Sequence, residues 1–506
     1  MSPFRNHKTR IVCTIGPASR KPAILDRMIR RGMDVARLNL AHGDRDEHTA
    51  AIEAVRAASE RTGRRVTLLA DLPGPKLRVG RLAGGPRDLR RGQTARLFGL
   101  DLAPEPPEAS EDAGGWADVP LSLPWMPPSL TGGEDIFLND GQIQLRVQHV
   151  TEVAAPSERA AGPTKRSGRP FGLVAVARVL VGGRLHSRDG ISLPGVDLGL
   201  SAFTDHDREL LAFALEAGID AVGMSFVQGP EDVTAVRSAA RDLGGNPFIV
   251  AKIERSGAVD RVEAILDQAD GLMVARGDLG VDMPIDRIAV VQKLLIARAN
   301  AAGKPVITAT QMLESMTEHR RPTRAEVADV SNAILDGTDC VMLSEETAMG
   351  QFPAETVAVM ADIAASTERY LRGTQRPPAD ATSVPGVLAQ EAAVTAERIG
   401  ARYLVVPTET GQTARRIARL RPPAWIVAFS AHEEVCRRLQ FSRGVHPVHV
   451  PDAAHAPLVG SSVDWPFVAR RWFRLQGLKP GRAVLIQGNC HLEVIDLAAG
   501  PGADCG

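Results

Sequence analysis

Pro305-Val306-Ile307-Thr308-Ala309-Thr310-Gln311-Met312-Leu313-Glu314-Ser315-Met316 is a short β-branched run that ends in hydroxyl residues and passes straight into a helical pattern. Arg321-Pro322-Thr323-Arg324-Ala325-Glu326 and Asn332-Ala333-Ile334-Leu335-Asp336-Gly337-Thr338-Asp339 follow it closely. A strand that hands its chain directly to a helix brings hydroxyls and backbone N–H groups to the carboxyl end of a parallel sheet, where α/β enzymes bind anions. The stretch predicts one βα unit with Thr310 on its rim.

Working outward, similar apolar runs alternate with helical patterns at Ile11–Ile15, Ala36–Leu40, Val66–Leu72, Ala221–Val227, Phe248–Glu254, Gly271–Asp278, Pro305–Thr310 and Cys340–Glu346. Eight parallel strands with intervening helices predict a (β/α)8 TIM barrel. The interval from Val79 to Ser201 is too long for one crossover; it loses the helical period, and Gln93–Phe98, Asp135–Val147 and Gly172–Leu185 read as strands between Gly and Pro. A small β-barrel domain inserted after strand three, capping the barrel mouth, is expected there. Its Pro-, Glu- and Ala-rich segment Ala103 to Gly115 reads as an exposed loop. Three prolines within Tyr370 to Pro385 mark a linker, after which Tyr403–Val406, Trp425–Ala428, His446–Val450 and Arg482–Ile486 read as strands and Gln412–Leu420 as a helix. The expected division is barrel 1–78 and 190–369, cap 79–189, linker 370–384 and a C-terminal α/β domain 385–506.

The 506 residues exceed one core, in keeping with roughly three domains. Lys and Arg number 60 against 60 for Asp and Glu, so no global field draws the chain to nucleic acid or a membrane, and small molecules are the expected partners. Cys13, Cys340, Cys436, Cys490 and Cys505 lack paired or metal-ligand spacing, which indicates a reducing compartment; Cys13 and Cys340 read as buried thiols. No apolar run approaches the ~20 residues of a membrane span, and the polar start lacks a signal peptide's apolar segment. A cytoplasmic location follows.

On the fifth strand, Lys252 and Glu254 lie two residues apart and so point the same way, toward the mouth. Ala275-Arg276-Gly277-Asp278 brings a second carboxylate from the next strand, and two hard oxygen donors suit Mg²⁺ or Mn²⁺ with water and substrate completing the shell. Spacing alone leaves an ion-pair cluster closing the barrel equally open. The loop at Gly277 opens a helix whose first N–H groups suit a carboxylate. Thr310 on the strand-seven rim is a carboxylate ligand, part of a proton route, or a helix cap. Arg37 on strand two sits where a guanidinium clamps a phosphoryl group, or is a surface charge.

The wording of these segments resembles the pyruvate kinase family, from the first strand near Ile11 to about Pro480. The resemblance implies transfer of the phosphoenolpyruvate phosphoryl group to ADP, giving pyruvate and ATP in glycolysis. It implies that Glu254 and Asp278 hold the divalent metal, that Lys252 stabilises charge on the phosphoryl group or enolate, and that Arg37 and Thr310 join it as catalytic groups. Gly277 and Asp278 would contact substrate with Arg37, Lys252 and Thr310; Arg78, Asn39, His42 and Arg188 would receive the nucleotide. It also implies a homotetramer. Thr408-Glu409-Thr410-Gly411-Gln412-Thr413-Ala414 precedes a helix whose N-terminus either holds an effector's phosphate, with Glu409 an awkward neighbour, or is simply capped.

Several residues depart from the family pattern. Asn39-Leu40-Ala41-His42-Gly43 and Asp71-Leu72-Pro73-Gly74-Pro75-Lys76 lack two hydroxyls, at Ala41 and Leu72, that help hold potassium in potassium-dependent members. Lys76 replaces a glutamate, so a tethered ammonium supplies the missing charge, as in a potassium-independent branch. Asp189 stands where Lys is common, opposing a nucleotide phosphate beside Arg188, and Glu345 and Met349 replace a Gly and a Lys. Two other classes remain open: a metal-dependent lyase or aldolase on a pyruvate-like substrate, and a degenerate metabolite-binding paralogue. The long insertion after strand three favours the kinase over the first, and the intact Lys252, Glu254, Asp278 and Thr310 over the second.

Overall fold

The structure, a computed structural model, describes residues 2–100, 116–123, 129–139, 141–154, 171–196, 200–371, 383–451, 458–459, 462–478, 481–487 and 491–498. Eight parallel strands close into a barrel in chain order: Arg10–Thr14, Met33–Asn39, Thr67–Leu72, Ala221–Met224, Phe248–Ile253, Gly271–Ala275, Val306–Ala309 and Cys340–Leu343. Closure is made between the first and eighth strands, with Arg10 opposite Cys340. Alternation along each strand sends successive side chains to opposite faces. Val12, Val35, Leu69, Val250, Met273, Ile307 and Met342 fill the interior, while Ile11, Cys13, Ala36, Leu68 and Val274 pack outward on the helices.

The sixth and eighth strands stop earlier than the apolar runs suggest. Gly271–Ala275 gives way to a helix at Arg276–Asp282, which carries Asp278, and Cys340–Leu343 gives way to Glu345–Ala348. Apolar character alone cannot distinguish a strand's end from the buried first turn of the next helix.

The insertion forms a six-stranded sheet of Thr94–Phe98, Ala117–Pro120, Asp135–Leu138, Ile143–Ala154, Phe171–Val181 and Ile191–Ser192, the last of them past the expected boundary at 189, with a two-stranded ribbon of Arg87–Leu89 and Gly183–Leu185. It has a core of its own built on Leu97, Val119, Ile136, Leu138, Leu145 and Val179. Asp135–Val147, read as one strand, is a hairpin that turns between Leu138 and Ile143. The 103–115 loop lies outside the described residues.

The C-terminal sheet orders Val445–His449, Trp425–Ser430, Tyr403–Pro407, Arg482–Gln487 and His491–Asp496, the last antiparallel. The sequence reading lacked that edge strand and the helices Val384–Arg398 and Trp465–Leu475. Most of the expected linker, 372–382, lies outside the described residues. Phe441 from this domain enters the barrel's lower end and stacks on Phe248 with centroids 5.1 Å apart, sealing the face opposite the site. Cys13, Cys340 and Cys436 are free and buried, and among the described residues no helix is long and apolar enough to cross a membrane.

Candidate active site

At the carboxyl ends of strands two to five, four charged groups interlock. The Lys252 ammonium lies 2.9 Å from Glu254 Oε1 and 3.1 Å from Asp71 Oδ1, and donates to Ser225 Oγ at 2.6 Å. Ser225 in turn donates to the Leu72 carbonyl at 2.7 Å. Arg37 Nε donates to Asp71 Oδ2 at 2.7 Å and its Nη1 to Thr14 Oγ1 at 2.9 Å. One carboxylate, Asp71, therefore anchors both cations that face the mouth.

Burial alone would push the Lys252 ammonium down, but Asp71 and Glu254 outweigh it and hold the group above the usual lysine range. Burial likewise acts to raise Asp71, and Lys252 and Arg37 overcome it, keeping that carboxyl below its ordinary value. Glu254 is raised, by burial first and then by Asp278, against the pull of Lys252. Asp278 is thus near enough to repel it. A divalent cation between these two carboxylates would relieve the repulsion, and hard carboxylate oxygens with room for water and substrate fit Mg²⁺ or Mn²⁺. Glu254 Oε2 also accepts from the Phe226 N–H at 2.8 Å.

Asp278 sits in the first turn of Arg276–Asp282, and Lys76 Nζ stands 3.9 Å from its Oδ1. Thr310 occupies the seventh strand's exit with φ 67, followed by Gln311 at φ 53. Its hydroxyl accepts from the Gly277 N–H at 2.8 Å and donates to the Ala309 carbonyl at 2.7 Å. That N–H, expected to face a substrate carboxylate, is engaged by Thr310, whose hydroxyl thereby caps the first turn of Arg276–Asp282 from the neighbouring strand.

A cavity of about 1170 Å³ opens above these groups, lined by Arg37, Asn39, His42, Lys76, Gly277, Asp278 and Thr310 among others, including Glu345 and Met349. A smaller one joins the cap to the rim between Phe137, Ile191, Leu193, Lys76, Glu254 and Asp278. Burial, then Arg78, Lys76 and Arg37, holds the His42 imidazole below its ordinary range, against the pull of Glu345. Arg78 and Arg188 do not line the large cavity. Arg78 Nη1 instead donates to the Arg188 carbonyl at 3.0 Å, and the Arg188 side chain is exposed.

Asp189 engages its own turn. Its carboxylate accepts from the His186 N–H at 2.7 Å within its own turn, a local bond typical of Asp in turns that spacing to a ligand cannot reveal. Asp71 and Ser225 were given no role from sequence. Asp71 stood in the quoted Asp71-Leu72-Pro73-Gly74-Pro75-Lys76 segment, one step before the departure that drew notice. Ser225 ends a strand with no motif around it.

The family model "Pyruvate kinase, barrel domain" matches residues 6–357, and "Pyruvate kinase, alpha/beta domain" matches 387–471. A pyruvate kinase of Thermococcus litoralis is 44% identical over 450 residues, covering 87% of this chain and 88% of its own. One of Geobacillus stearothermophilus is 40% identical over 449 residues, covering 88% and 72%. A crystal structure of a pyruvate kinase from Cryptosporidium parvum superposes with a TM-score of 0.81 at 33% identity, covering 97% of this chain and 96% of that one. With the Lys252–Glu254–Asp71 cluster on the mouth of such a barrel, the chain belongs to the pyruvate kinase family, phosphotransferases acting on phosphoenolpyruvate and ADP.

Proposed function

We propose that this chain performs the transfer with Lys252, Arg37 and Thr310 at the reacting atoms. The observation that carries the reading is the Lys252 ammonium, charged and fixed at 2.9 Å from Glu254 and 3.1 Å from Asp71. A fixed cation stabilises charge that builds on the phosphoryl oxygens and the enolate without reorganising during the reaction. Arg37, aimed by Asp71 and Thr14, grips the phosphoryl group from the other side. Thr310, held by the Gly277 N–H beside Asp278, meets the substrate carboxylate and lies on the route of the proton that converts enolate to pyruvate.

Glu254 and Asp278 hold Mg²⁺ or Mn²⁺, which, when bound, neutralises phosphate charge and orients the transfer. Asn39, His42, Arg78 and Arg188 receive ADP, and the cap, residues 79–189, closes over it and excludes water. Lys76, 3.9 Å from Asp278, stands in for the monovalent cation. The barrel (1–78, 190–369), the linker (370–384) and the C-terminal domain (385–506) complete a cytoplasmic homotetramer whose Thr408–Ala414 segment takes a phosphorylated effector.

Pyruvate release from phosphoenolpyruvate, followed with and without ADP, tests the reading. ADP-dependent turnover is expected, with Glu254→Gln folded and inactive at saturating Mg²⁺. ADP-independent pyruvate formation, or a fully active Glu254→Gln, would refute it.

A further inference from the structure

Beneath the Thr310 turn lies a side chain that the roles above do not use. The Arg276 guanidinium, its side chain 10% exposed, donates to the Ala309 carbonyl at 3.2 Å and the Thr310 carbonyl at 2.6 Å. It also reaches Met312 Sδ at 2.9 Å and Gln292 Oε1 at 3.3 Å, and pairs with Asp329 at 2.7 Å. Three contacts, to Ala309, Thr310 and Met312, therefore span the segment where Thr310 and Gln311 adopt positive φ. A β-branched residue in that region costs about 1–3 kcal/mol and persists only where its surroundings over-determine it.

Arg276 directly precedes Gly277, whose N–H holds the Thr310 hydroxyl. A single guanidinium thus ties the Gly277–Asp278 turn of strand six to the Thr310 turn of strand seven. Asp329 aims that guanidinium from the helix Arg324–Asp336, which is itself fixed at both ends. Thr323 and Glu326 form a capping box at its start, and Glu326 also binds Ser315 at 2.7 and 2.5 Å. Gly337 at its end is gripped by Arg421 of the C-terminal domain. A carboxylate on so fixed a helix orients its partner with little freedom to drift.

We infer that Asp329 and Arg276 form a positioning clamp that sets the Thr310 hydroxyl against Gly277 and Asp278, acting on the reaction through Thr310. This rests on the proposal that Thr310 works at the reacting atoms. Misplacing a reacting group by about 1 Å costs on the order of 100-fold in rate. Asp329→Ala should therefore lower kcat between about 10- and 100-fold, with KM for phosphoenolpyruvate changed less than about threefold.

The test is a double-mutant cycle on the full chain: Asp329→Ala, Thr310→Ala and the pair, with kcat, KM and the thermal midpoint measured for each. If the clamp acts through Thr310, the pair should be no more than about twofold slower than Thr310→Ala alone, since coupled residues are not additive. Asp329→Asn, which keeps an acceptor for Arg276, should recover part of the rate, and it takes the place of Asp329→Ala in the cycle should the latter not fold. A slow Thr310→Ala whose loss multiplies with that of Asp329→Ala would overturn the clamp and leave the Thr310 assignment standing. A Thr310→Ala enzyme with full kcat would overturn both.

Discussion

Charged side chains are buried at both ends of the barrel, and Glu368 and Asp34 at the base fare differently from Glu254 at the mouth. At the lower end Glu368 accepts from the Lys8 N–H at 2.8 Å, the Thr9 N–H at 2.6 Å and the Thr9 hydroxyl at 2.7 Å, with Arg443 at 3.4 Å. Asp34 likewise takes Arg5, Arg10 and the Ile11 N–H, each at 3.1 Å. Burial acts to raise both carboxyls, but these partners overcome it and hold them below their ordinary values. Phe441 stacks on Phe248 to close the barrel interior at this end. At the mouth, by contrast, Glu254 is pushed up and its neighbour Asp278 is 40% exposed on a large cavity. Glu368 and Asp34 are each met by several donors, whereas Glu254 faces a second carboxylate beside a cavity; TIM barrels in general place stability at one face and chemistry at the other.

Breaking the mouth should give the largest effect. Lys252→Met is expected to lower kcat about 1000-fold or more, while direct binding of phosphoenolpyruvate changes little, because a preorganised charge acts chiefly on the transition state. Loss of affinity with kcat preserved would move Lys252 to ground-state binding.

Breaking the base should reverse the signature. Glu368→Ala leaves Arg443 without its buried partner and is expected to cost about 3 kcal/mol in denaturant unfolding, with kcat at 25 °C unchanged within about twofold. A large rate loss at unchanged stability would erase the contrast between the two ends.

The smallest effect is one of pH. Glu368 and Asp34 have depressed folded pKa values, so their contribution is complete above the unfolded carboxylate range, about 4, and fades as pH falls through their folded values. Stability should decline across that acid interval, and more shallowly in Glu368→Gln. An equal slope in both proteins would remove Glu368 from the account.

Much of this was legible in the sequence, for identifiable reasons. Eight βα repeats announce themselves through apolar period and spacing, and the insertion through loss of that period. Lys252 and Glu254 follow from alternation along one strand. Residues whose role depends on a bond across the barrel were not legible. Asp71 gains its meaning from Arg37 and Lys252, which lie 34 and 181 positions away in the chain. Asp189 turned inward because a turn offers its carboxylate a nearer N–H than any ligand does. The antiparallel edge strand His491–Asp496 follows its neighbour closely and has little periodicity of its own.

The Lys76 ammonium is proposed to supply this mouth with its own monovalent charge. Ala41 and Leu72 offer no side-chain oxygens, and the Lys76 ammonium stands 3.9 Å from Asp278. The most direct measurement is the rate of ADP-dependent pyruvate formation in potassium, sodium and tetramethylammonium buffers of matched ionic strength, with Lys76→Glu run in parallel. Equal rates for the unmodified protein in all three, with most activity lost in Lys76→Glu, are expected; strong activation of the unmodified protein by potassium would contradict the claim.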